Sequence, residues 1–454
     1  MADENIPVHP FMAQHGASCM HDDPYTSNTY SWAGPVGPAL EVTSRANGFL
    51  GGECPTINFD RQGRMITVCV RARTPSLVIF DPETMRVVDR YALPARRVPL
   101  LRFRTAAEDT SGGAYFYLDE RDRAVVGTAD GAIDVVAIRE TARGPRFALD
   151  QHIDLRDTLR LPDGTFDKIT AVMPDWHGHY WYVGRAGTVG VATRDGAAKS
   201  VHLTGEEIEN SFSMGPDGAY IVTDHALYRF DRGADGGPRT IWRTPYDRGS
   251  RRKVGQINRG SGTTPTLLGD RYVAIADNAE PRMNVLVYRR DAIHAPRPIC
   301  TVPVFEAGAS ATENTLIGVG RSLIVENNAG YDVFMTMRRG RTSAPGLSRI
   351  DIREDESGCD LVWTNDAISQ TTVPKLSTAT GLVYAYTKLP NAPLDADAFY
   401  FTAIDFHTGR TVYRVRTGTG IRYDNHWAAV TLAPDGSAFV GVLNGFVRIR
   451  DGEH

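Results

Sequence analysis

Long apolar runs are missing from this 454-residue sequence, and no window approaches the roughly 20 apolar residues of a membrane-spanning helix. The N-terminus has neither a basic start nor an apolar stretch of signal-peptide length. No long basic stripe interrupts the mixed charges, and the net charge is −4. These absences argue against membranes and nucleic acid as partners and make the cytoplasm the expected compartment. They leave the oligomeric state open.

Cysteine is also scarce. The five cysteines are Cys19, Cys54, Cys69, Cys300 and Cys359. None forms a Cys-x-x-Cys pair and their number is odd, so we expect neither a disulfide framework nor a zinc knuckle. Cys69 lies in the apolar run 65–70 and is interpreted as a small core residue.

Helical periodicity is rare, whereas short runs of β-branched and aromatic residues recur throughout the chain. Residues 209–231 and 427–451 share one pattern: a strand, a Pro-Asp-Gly turn, a second strand, a tight turn and a third strand. Looser copies fill the interval between them and the stretch from Glu53 onward. The pattern predicts an all-β fold, a single β-propeller of eight blades. Seven blades are the alternative if 100–155 is not a blade.

The last copy has three strands, but a blade needs four. Residues 39–45, just before the first copy, are the natural donor of the missing strand, and this would close the ring and remove an exposed sheet edge. We therefore assign 39–454 to the propeller. Residues 1–38 contain His21, Tyr25, Tyr30 and Trp32, more aromatic character than a disordered tail normally has. We expect this segment to pack on the propeller as an arm or lid.

Four segments at or near the blade entrances resemble bacterial quinoprotein-like β-propeller proteins of unassigned reaction. They are Glu209-Asn-Ser-Phe-Ser-Met, Gly260-Ser-Gly-Thr-Thr-Pro-Thr-Leu, Glu313-Asn-Thr-Leu-Ile and Val325-Glu-Asn-Asn328. The resemblance covers about residues 50–454 and implies the fold. Pyrroloquinoline quinone (PQQ) dehydrogenases of this fold carry adjacent cysteines and a tryptophan motif in each blade. Here no two cysteines adjoin and the tryptophans do not recur, so no PQQ is expected, and no NAD or flavin fingerprint appears.

The innermost strand of each blade lines the channel, so the segments entering these strands meet in space. Their polar residues are Glu53, Lys168, Glu209, Asn210, Thr263, Thr264, Glu313, Asn314, Lys375, Asn425 and His426. Charges gathered in a partly desolvated site shift each other's pKa and suit acid/base chemistry. We assign Glu53, Glu209 and Glu313 as acid/base groups, and Lys168, Lys375 and His426 as stabilisers of negative charge. The alternative is a channel whose charges only neutralise one another.

The sequence also leaves open a metal-assisted reaction at these channel residues. Calcium binds several oxygen ligands, and the glutamates with Asn210 and Asn314 are of that type. A zinc or iron site would instead recruit His21 and His426. The cofactor is therefore unknown, with calcium or another divalent metal as one possibility.

Two functions follow from these patterns. The first is an enzyme, a hydrolase or lyase, that acts on a small polar molecule at the channel mouth, since no redox motif is present. The second is a non-catalytic scaffold for other proteins, which would show exposed aromatic patches and an inert channel.

Overall fold

The computed structural model describes residues 6–14, 17–46, 52–71, 73–98, 108–333, 336, 340–390 and 397–452. Within these ranges the chain forms 33 short strands and one 3-10 helix, Ile421–Tyr423. No helix in the described ranges is long and apolar enough to cross a membrane. The turns follow the predicted pattern: Gly436 in the Pro-Asp-Gly turn has φ 85°, a conformation that glycine adopts without steric cost.

The strands group into eight sheets arranged as blades. Two N-terminal strands come first: β1 (Thr29–Tyr30) and β2 (Leu40–Ala46). Blade 1 holds β3 (Glu53–Phe59), β4 (Met65–Arg71), β5 (Thr74–Phe80) and β6 (Val87–Ala92). Blade 2 holds β7 (Tyr117–Leu118), β8 (Ala124–Gly127), β9 (Ala132–Thr141) and β10 (Gly144–Asp154). Blade 3 holds β11 (Ile169–Pro174), β12 (Tyr180–Gly184), β13 (Thr188–Ala192) and β14 (Ala198–His202).

The same order continues through the rest of the chain. Blade 4 holds β15 (Ser213–Gly215), β16 (Gly218–Val222), β17 (Ala226–Arg232) and β18 (Pro238–Pro245). Blade 5 holds β19 (Thr266–Leu268), β20 (Tyr272–Ala276), β21 (Asn284–Arg289) and β22 (Cys300–Pro303). Blade 6 holds β23 (Ile317–Val319), β24 (Ser322–Glu326), β25 (Leu347–Ile352) and β26 (Cys359–Asn365). Blade 7 holds β27 (Lys375–Ser377), β28 (Leu382–Leu389), β29 (Ala398–Asp405) and β30 (Thr411–Thr419), and blade 8 holds β31 (Val430–Leu432), β32 (Ala438–Val442) and β33 (Gly445–Asp451).

The first strand of each blade lies at the centre of the ring. β11, β15, β19 and β27 are buried along their whole length, while the fourth strand β30 alternates between half-buried and exposed residues. First strands also contact first strands of the next blade, as β15 does with β19 and β19 with β23. The polar segments that enter these strands therefore surround one axis.

The ring closes as the sequence predicts. β2 pairs antiparallel with β33, from Leu40 opposite Asp451 to Ala46 opposite Gly445. It supplies the fourth, outer strand of blade 8 and begins one residue later than predicted. The prediction of eight blades with closure by an N-terminal strand is confirmed, and the looser copy at 100–155 is indeed blade 2.

The chain before β2 runs along the inner strands. β1 adds a parallel strand to β27, and backbone N–H groups of four other inner strands or strand ends donate to the carbonyls of this segment. These pairs are Leu118 to Ser18, Met214 to Pro24, Leu267 to Tyr25 and Gly318 to Ser27. We call residues 17–30 the arm plug. Residues 1–5 and 15–16 of the predicted arm lie outside the described residues.

The arm plug enters from one end of the channel. Just beyond it, the Trp32 carbonyl accepts a hydrogen bond from Ser377, at the turn that ends β27, and Ala33 lies near the Gly436 turn that follows β31. Phe11 packs against Gly178 in the turn after β11. These turns lie at the opposite end from the blade entrances, so the N-terminal segment covers the far end of the channel.

The expectation that no disulfides form is wrong. Cys54 pairs with Cys69, and Cys300 pairs with Cys359, while Cys19 is free and buried. The first bond joins the adjacent strands β3 and β4, so Cys69 is more than a small core residue. The second joins β22 and β26, the outer strands of neighbouring blades. Sequence spacing did not reveal either pair because only the folded sheets bring these cysteines together.

Candidate functional site

Three consecutive blade entrances meet at one point near the channel axis. Glu209 and Asn210 precede β15, Gly262 precedes β19, and Glu313 and Asn314 precede β23. The Asn210 amide donates a hydrogen bond to the Gly262 carbonyl. Gly262 also lies so close to Oε2 of Glu313 that a Cβ at this position would collide with it. Glycine is therefore needed here for the close approach of blades 4, 5 and 6.

Glu209 and Glu313 form a buried carboxyl pair at this point, with only 2% and 5% of their surface exposed. Arg185 donates to Oε1 of Glu209 at 2.5 Å, and the backbone N–H of Ile257 donates to Oε1 of Glu313 at 3.1 Å. The second oxygen of each, Oε2, is buried and accepts no hydrogen bond from any described residue. Buried polar atoms in proteins nearly always have partners, so two such oxygens at converging blade entrances point to a ligand.

Burial also controls the protonation of this pair. It raises the pKa of Glu209 to about 8, although the nearby Arg185 guanidinium acts in the opposite direction. The pKa of Glu313 lies well above its usual range because of burial first and the neighbouring Glu209 second. Both carboxyl groups therefore hold a proton at neutral pH and can donate it.

Tyr115 belongs to the same group. Its hydroxyl donates to Oδ1 of Asn210 at 3.0 Å. Its pKa is raised by burial and by the proximity of Glu209 and Glu313. Tyr115 lies at the entrance of blade 2, two residues before β7. Sequence reasoning missed it because β7 has only two residues; the aromatic run 115–117 was the available signal.

A cavity of about 160 Å³ lies beside the carboxyl pair, and we call it the entrance pocket. Ile257, whose N–H holds Glu313, is part of its lining. So are Arg252 and Glu108, which form an ion pair at 2.6 Å. Tyr331, His426 and Trp427 also line it.

Glu53 and His426 meet in the wall of this pocket. Oε1 of Glu53 accepts a hydrogen bond from the His426 backbone N–H at 2.7 Å. The His426 ring contacts the Tyr331 hydroxyl through Nδ1, also at 2.7 Å. Burial raises the pKa of Glu53 well above its usual range. Two further predicted residues thus lie at the same end of the channel as the carboxyl pair.

Lys375 and His21 lie elsewhere, against the arm plug. The Lys375 ammonium donates to the Met20 carbonyl, to Asp22 at 3.0 Å and to Asn28 at 2.8 Å. His21 contacts Asn28 through Nδ1 and Thr315 through Nε2. Burial and the Lys375 charge lower the pKa of His21 to about 3, so its ring is neutral. These groups hold the arm in place.

Lys168 is separate from both groups. It forms an ion pair with Asp109 at 2.8 Å, and its side chain is 37% exposed. The structure therefore brings Glu209, Asn210 and Glu313 together, and Glu53 with His426 nearby, but not the two lysines.

A metal site finds little support in this geometry. In the described ranges, no three His, Cys, Asp or Glu side chains are arranged to hold a metal ion. Both polar atoms of Asn210 are engaged, by Tyr115 and by Gly262. His21 has both ring nitrogens in contact and the Lys375 ammonium nearby, and such a positive charge repels a cation.

The fold and the converging entrances define an eight-bladed β-propeller with a polar site at one end of its channel. No protein-family model matches the chain. An uncharacterized protein of Archaeoglobus fulgidus is 25% identical over 334 residues, which are 65% of this chain and 64% of that protein. The match thus spans less than two thirds of the archaeal relative.

Two solved structures are among those similar to this chain. Sqt1 from Chaetomium thermophilum has a TM-score of 0.52 at 12% identity, over 91% of this chain and 100% of that one. A streptogramin B lyase has a TM-score of 0.42 at 10% identity, over 91% of this chain and 98% of that one. At 12% identity the likeness to Sqt1 supports the fold alone.

Proposed function

We propose that this propeller is an enzyme that acts on a small polar molecule at the entrance pocket by acid/base chemistry of the hydrolase or lyase type. The proposal rests on one observation: each member of the carboxyl pair has a buried oxygen without a hydrogen-bond partner among the described residues. A ligand that donates to these oxygens, or accepts their protons, would satisfy both. Desolvated carboxylic acids with raised pKa values are suited to proton donation at neutral pH.

The residues divide into roles. Glu313, with the more strongly raised pKa, donates a proton to the leaving group or the developing oxyanion. Glu209 is also protonated at neutral pH, and Arg185 favours the ionised form that remains once Glu209 has given up its proton. Tyr115 positions Asn210 and adds a hydroxyl beside the pair. Lys375 and Lys168 take no part, because their ammonium groups are bound at the arm plug and at Asp109.

Exchange of one carboxyl at a time tests the proposal. Glu209→Gln and Glu313→Gln keep the side-chain shape but cannot donate a carboxyl proton, so turnover falls by two or more orders of magnitude if these residues act as general acids. Glu354→Gln, an exposed position far along the chain in blade 6, is the matched control. Wild-type protein and variants are screened with chromogenic esters and glycosides and for the ultraviolet absorbance of unsaturated lyase products. Activity equal to the wild type in both variants would contradict the proposal.

The scaffold alternative has less support. It requires exposed aromatic patches, yet Phe166 is the only aromatic residue among the exposed large apolar side chains of the described ranges. It also requires an inert channel, which the carboxyl pair does not provide. The resemblance to quinoprotein-like propellers concerns the architecture only, and no quinone is part of the proposed function. The expected partner remains a small molecule, not nucleic acid or a membrane.

The compartment expected from the sequence was the cytoplasm. The two disulfides favour an oxidising compartment instead, because thiols of cytosolic proteins are normally kept reduced. An oxidising compartment is therefore part of the proposal, and the number of free thiols in the native protein tests it.

A further inference from the structure

The entrance pocket has an aromatic wall formed by Tyr331, His426 and Trp427. The ring centroids are 5.5 Å apart for Tyr331 and Trp427, 5.8 Å for His426 and Trp427, and 5.9 Å for Tyr331 and His426. At these separations the rings touch one another. The Trp427 ring stands at 77° to Tyr331 and at 59° to His426, and Tyr331 is only 5% exposed, so the half-buried Trp427 supplies the main apolar surface of this wall.

Trp427 occupies this wall at the cost of an unfavourable backbone conformation. Its φ of 65° lies in the left-handed region, which bulky residues rarely adopt. Its backbone N–H donates to Oγ1 of Thr371 at 3.2 Å, and this bond helps to hold the conformation. Strain of this kind persists where the surroundings fix a residue for a function. Trp427 is half-buried, so part of the indole remains available to a ligand.

The wall does not suit a quaternary ammonium ion. Such a cation binds between rings that stand apart and surround it, whereas these three rings contact one another and leave no gap. Arg252 and Lys253 line the cavity together with Glu108 and Asp332, so the charges of the lining balance and offer a cation no net attraction. The ligand must instead offer a flat apolar face to one surface.

Polar groups complete the pocket. Arg252 donates through Nε to the Gln256 carbonyl and through Nη2 to Glu108. Its Nη1 makes no hydrogen bond to another described residue and can donate to a ligand. Glu108 uses only Oε1 in this pair and keeps an acceptor. A donor and an acceptor thus lie side by side near the apolar wall.

The size of the cavity limits the ligand. About 160 Å³ is close to the roughly 150 Å³ of a cavity that holds one benzene molecule, so the pocket has the size of one six-membered ring. Sugars combine a flat C–H face with hydroxyl groups around the edge. Each hydroxyl both donates and accepts hydrogen bonds.

We infer that the entrance pocket binds the ring of a neutral sugar, with one C–H face on the Tyr331–His426–Trp427 wall and hydroxyl groups on Arg252 and Glu108. The inference rests on the proposed function for the place of the reaction, and it names the substrate class. The carboxyl pair then lies beside the bound ring, where the Ile257 backbone connects the pocket lining to Glu313.

Binding of simple sugars to the full-length chain tests this inference. Glucose, galactose, cellobiose and lactose are titrated by calorimetry, with glycerol and tetramethylammonium as probes that lack the ring face or carry a cation. At least one sugar is expected to bind. Trp427→Ala should weaken it by about tenfold or more, equivalent to ~1.4 kcal/mol, whereas Trp427→Phe should retain most of the affinity. Trp363→Phe, on the outer side of blade 6, is the control and should change nothing.

Thermal unfolding of each variant shows whether it folds, and Trp427→Phe keeps the test valid if Trp427→Ala does not. The inference is overturned if no sugar binds, if glycerol or tetramethylammonium binds equally well, or if folded Trp427→Ala binds the sugar like the wild type. Sugar binding by the wild type, with turnover that Glu209→Gln and Glu313→Gln both leave unchanged, would support the ligand class and contradict the acid/base proposal. Carboxyl-dependent turnover of a substrate without a sugar would do the reverse.

Discussion

The two ends of the channel treat buried charge differently. At the arm plug, Lys375 binds Asp22, Asn28 and the Met20 carbonyl, so the ammonium has three partners. At the blade entrances, Glu209 and Glu313 each keep a buried oxygen without a partner in the described ranges. Both ends are lined by polar residues, and in the sequence the residues of the two ends look equally important. The carboxyl pair therefore keeps capacity for a ligand, which the Lys375 ammonium does not.

This difference separates structural from functional polar residues. A buried charge that is fully paired stabilises one arrangement of the chain, and removing one partner leaves the other uncompensated. A buried carboxyl that is only partly paired has a raised pKa and reactivity at neutral pH. Composition alone cannot distinguish these cases, because the sequence shows that a Lys or a Glu lies near a blade entrance but not whether its charge is paired there.

Lys375→Met tests the plug end and should have the largest effect. It leaves Asp22 buried without its ammonium partner, so the free energy of unfolding should fall by about 3–5 kcal/mol. Lys168→Met removes a partly exposed pair with Asp109 and should cost less than about 1 kcal/mol. Urea unfolding measures both variants. Equal losses would mean that Lys375 does not hold the arm as described.

The disulfide Cys54–Cys69 tethers β3, the strand that begins with Glu53 at the open end. Replacement of both cysteines by serine should lower the free energy of unfolding by about 2–3 kcal/mol, as expected for a closed loop of about 15 residues. Thiol titration of the native protein after unfolding without reductant should find one reactive thiol, from Cys19. Five thiols would rule out both disulfides and the oxidising compartment.

Glu209→Gln should alter the pH dependence of stability at the open end. The folded-state pKa of about 8 exceeds the unfolded value near 4.5. The folded state therefore binds the proton more tightly, and wild-type stability falls as pH rises between these values. The variant lacks this loss, so its stability relative to the wild type should increase by about 2 kcal/mol or more across that interval, given ~1.4 kcal/mol per pKa unit.

Denaturant unfolding across this pH range compares the free energy of unfolding of Glu209→Gln with that of the wild type. Glu354→Gln is the control for an exposed carboxyl. A constant difference between Glu209→Gln and the wild type at every pH would show that the Glu209 pKa is not raised.

Gly262→Ala should destabilise the close approach of the blades. The new methyl group would meet Oε2 of Glu313 and the Thr312 backbone carbonyl, so both the carboxyl and the Thr312 backbone must move. A loss of about 1–3 kcal/mol is expected, the usual range for overpacking. Gly452→Ala meets only ordinary van der Waals contacts and should be neutral. Thermal unfolding compares the two, and equal effects would argue against the close approach at Gly262.

The fold could be predicted from the sequence because the pattern of turns and strands that defines each blade is local. Pro-Asp-Gly turns and short β-branched runs define a blade within about 25 residues, and the three-strand final copy predicts closure by the residues before Glu53. The candidate site was predicted in part for the same reason: equivalent blade positions must converge, as Glu209 and Glu313 do.

The remaining features depend on non-local contacts. Nothing near Lys375 in the sequence indicates that Asp22 is its partner, 353 positions away. Cys300 and Cys359 meet only because blades 5 and 6 are neighbours. Trp427 stands out through its positive φ, and Tyr115 through its place before a two-residue strand, and neither property can be deduced from residue type.

Infrared spectroscopy of the carboxyl groups tests the central claim most directly. The difference spectrum between the wild type and the Glu209→Gln, Glu313→Gln double variant at neutral pH should contain the C=O stretch of two protonated carboxylic acids. The Glu209 band should be lost as the pH is raised through about 8. Two ionised carboxylates at neutral pH would contradict the account, because the open end of the channel would then be neutralised as completely as the arm plug.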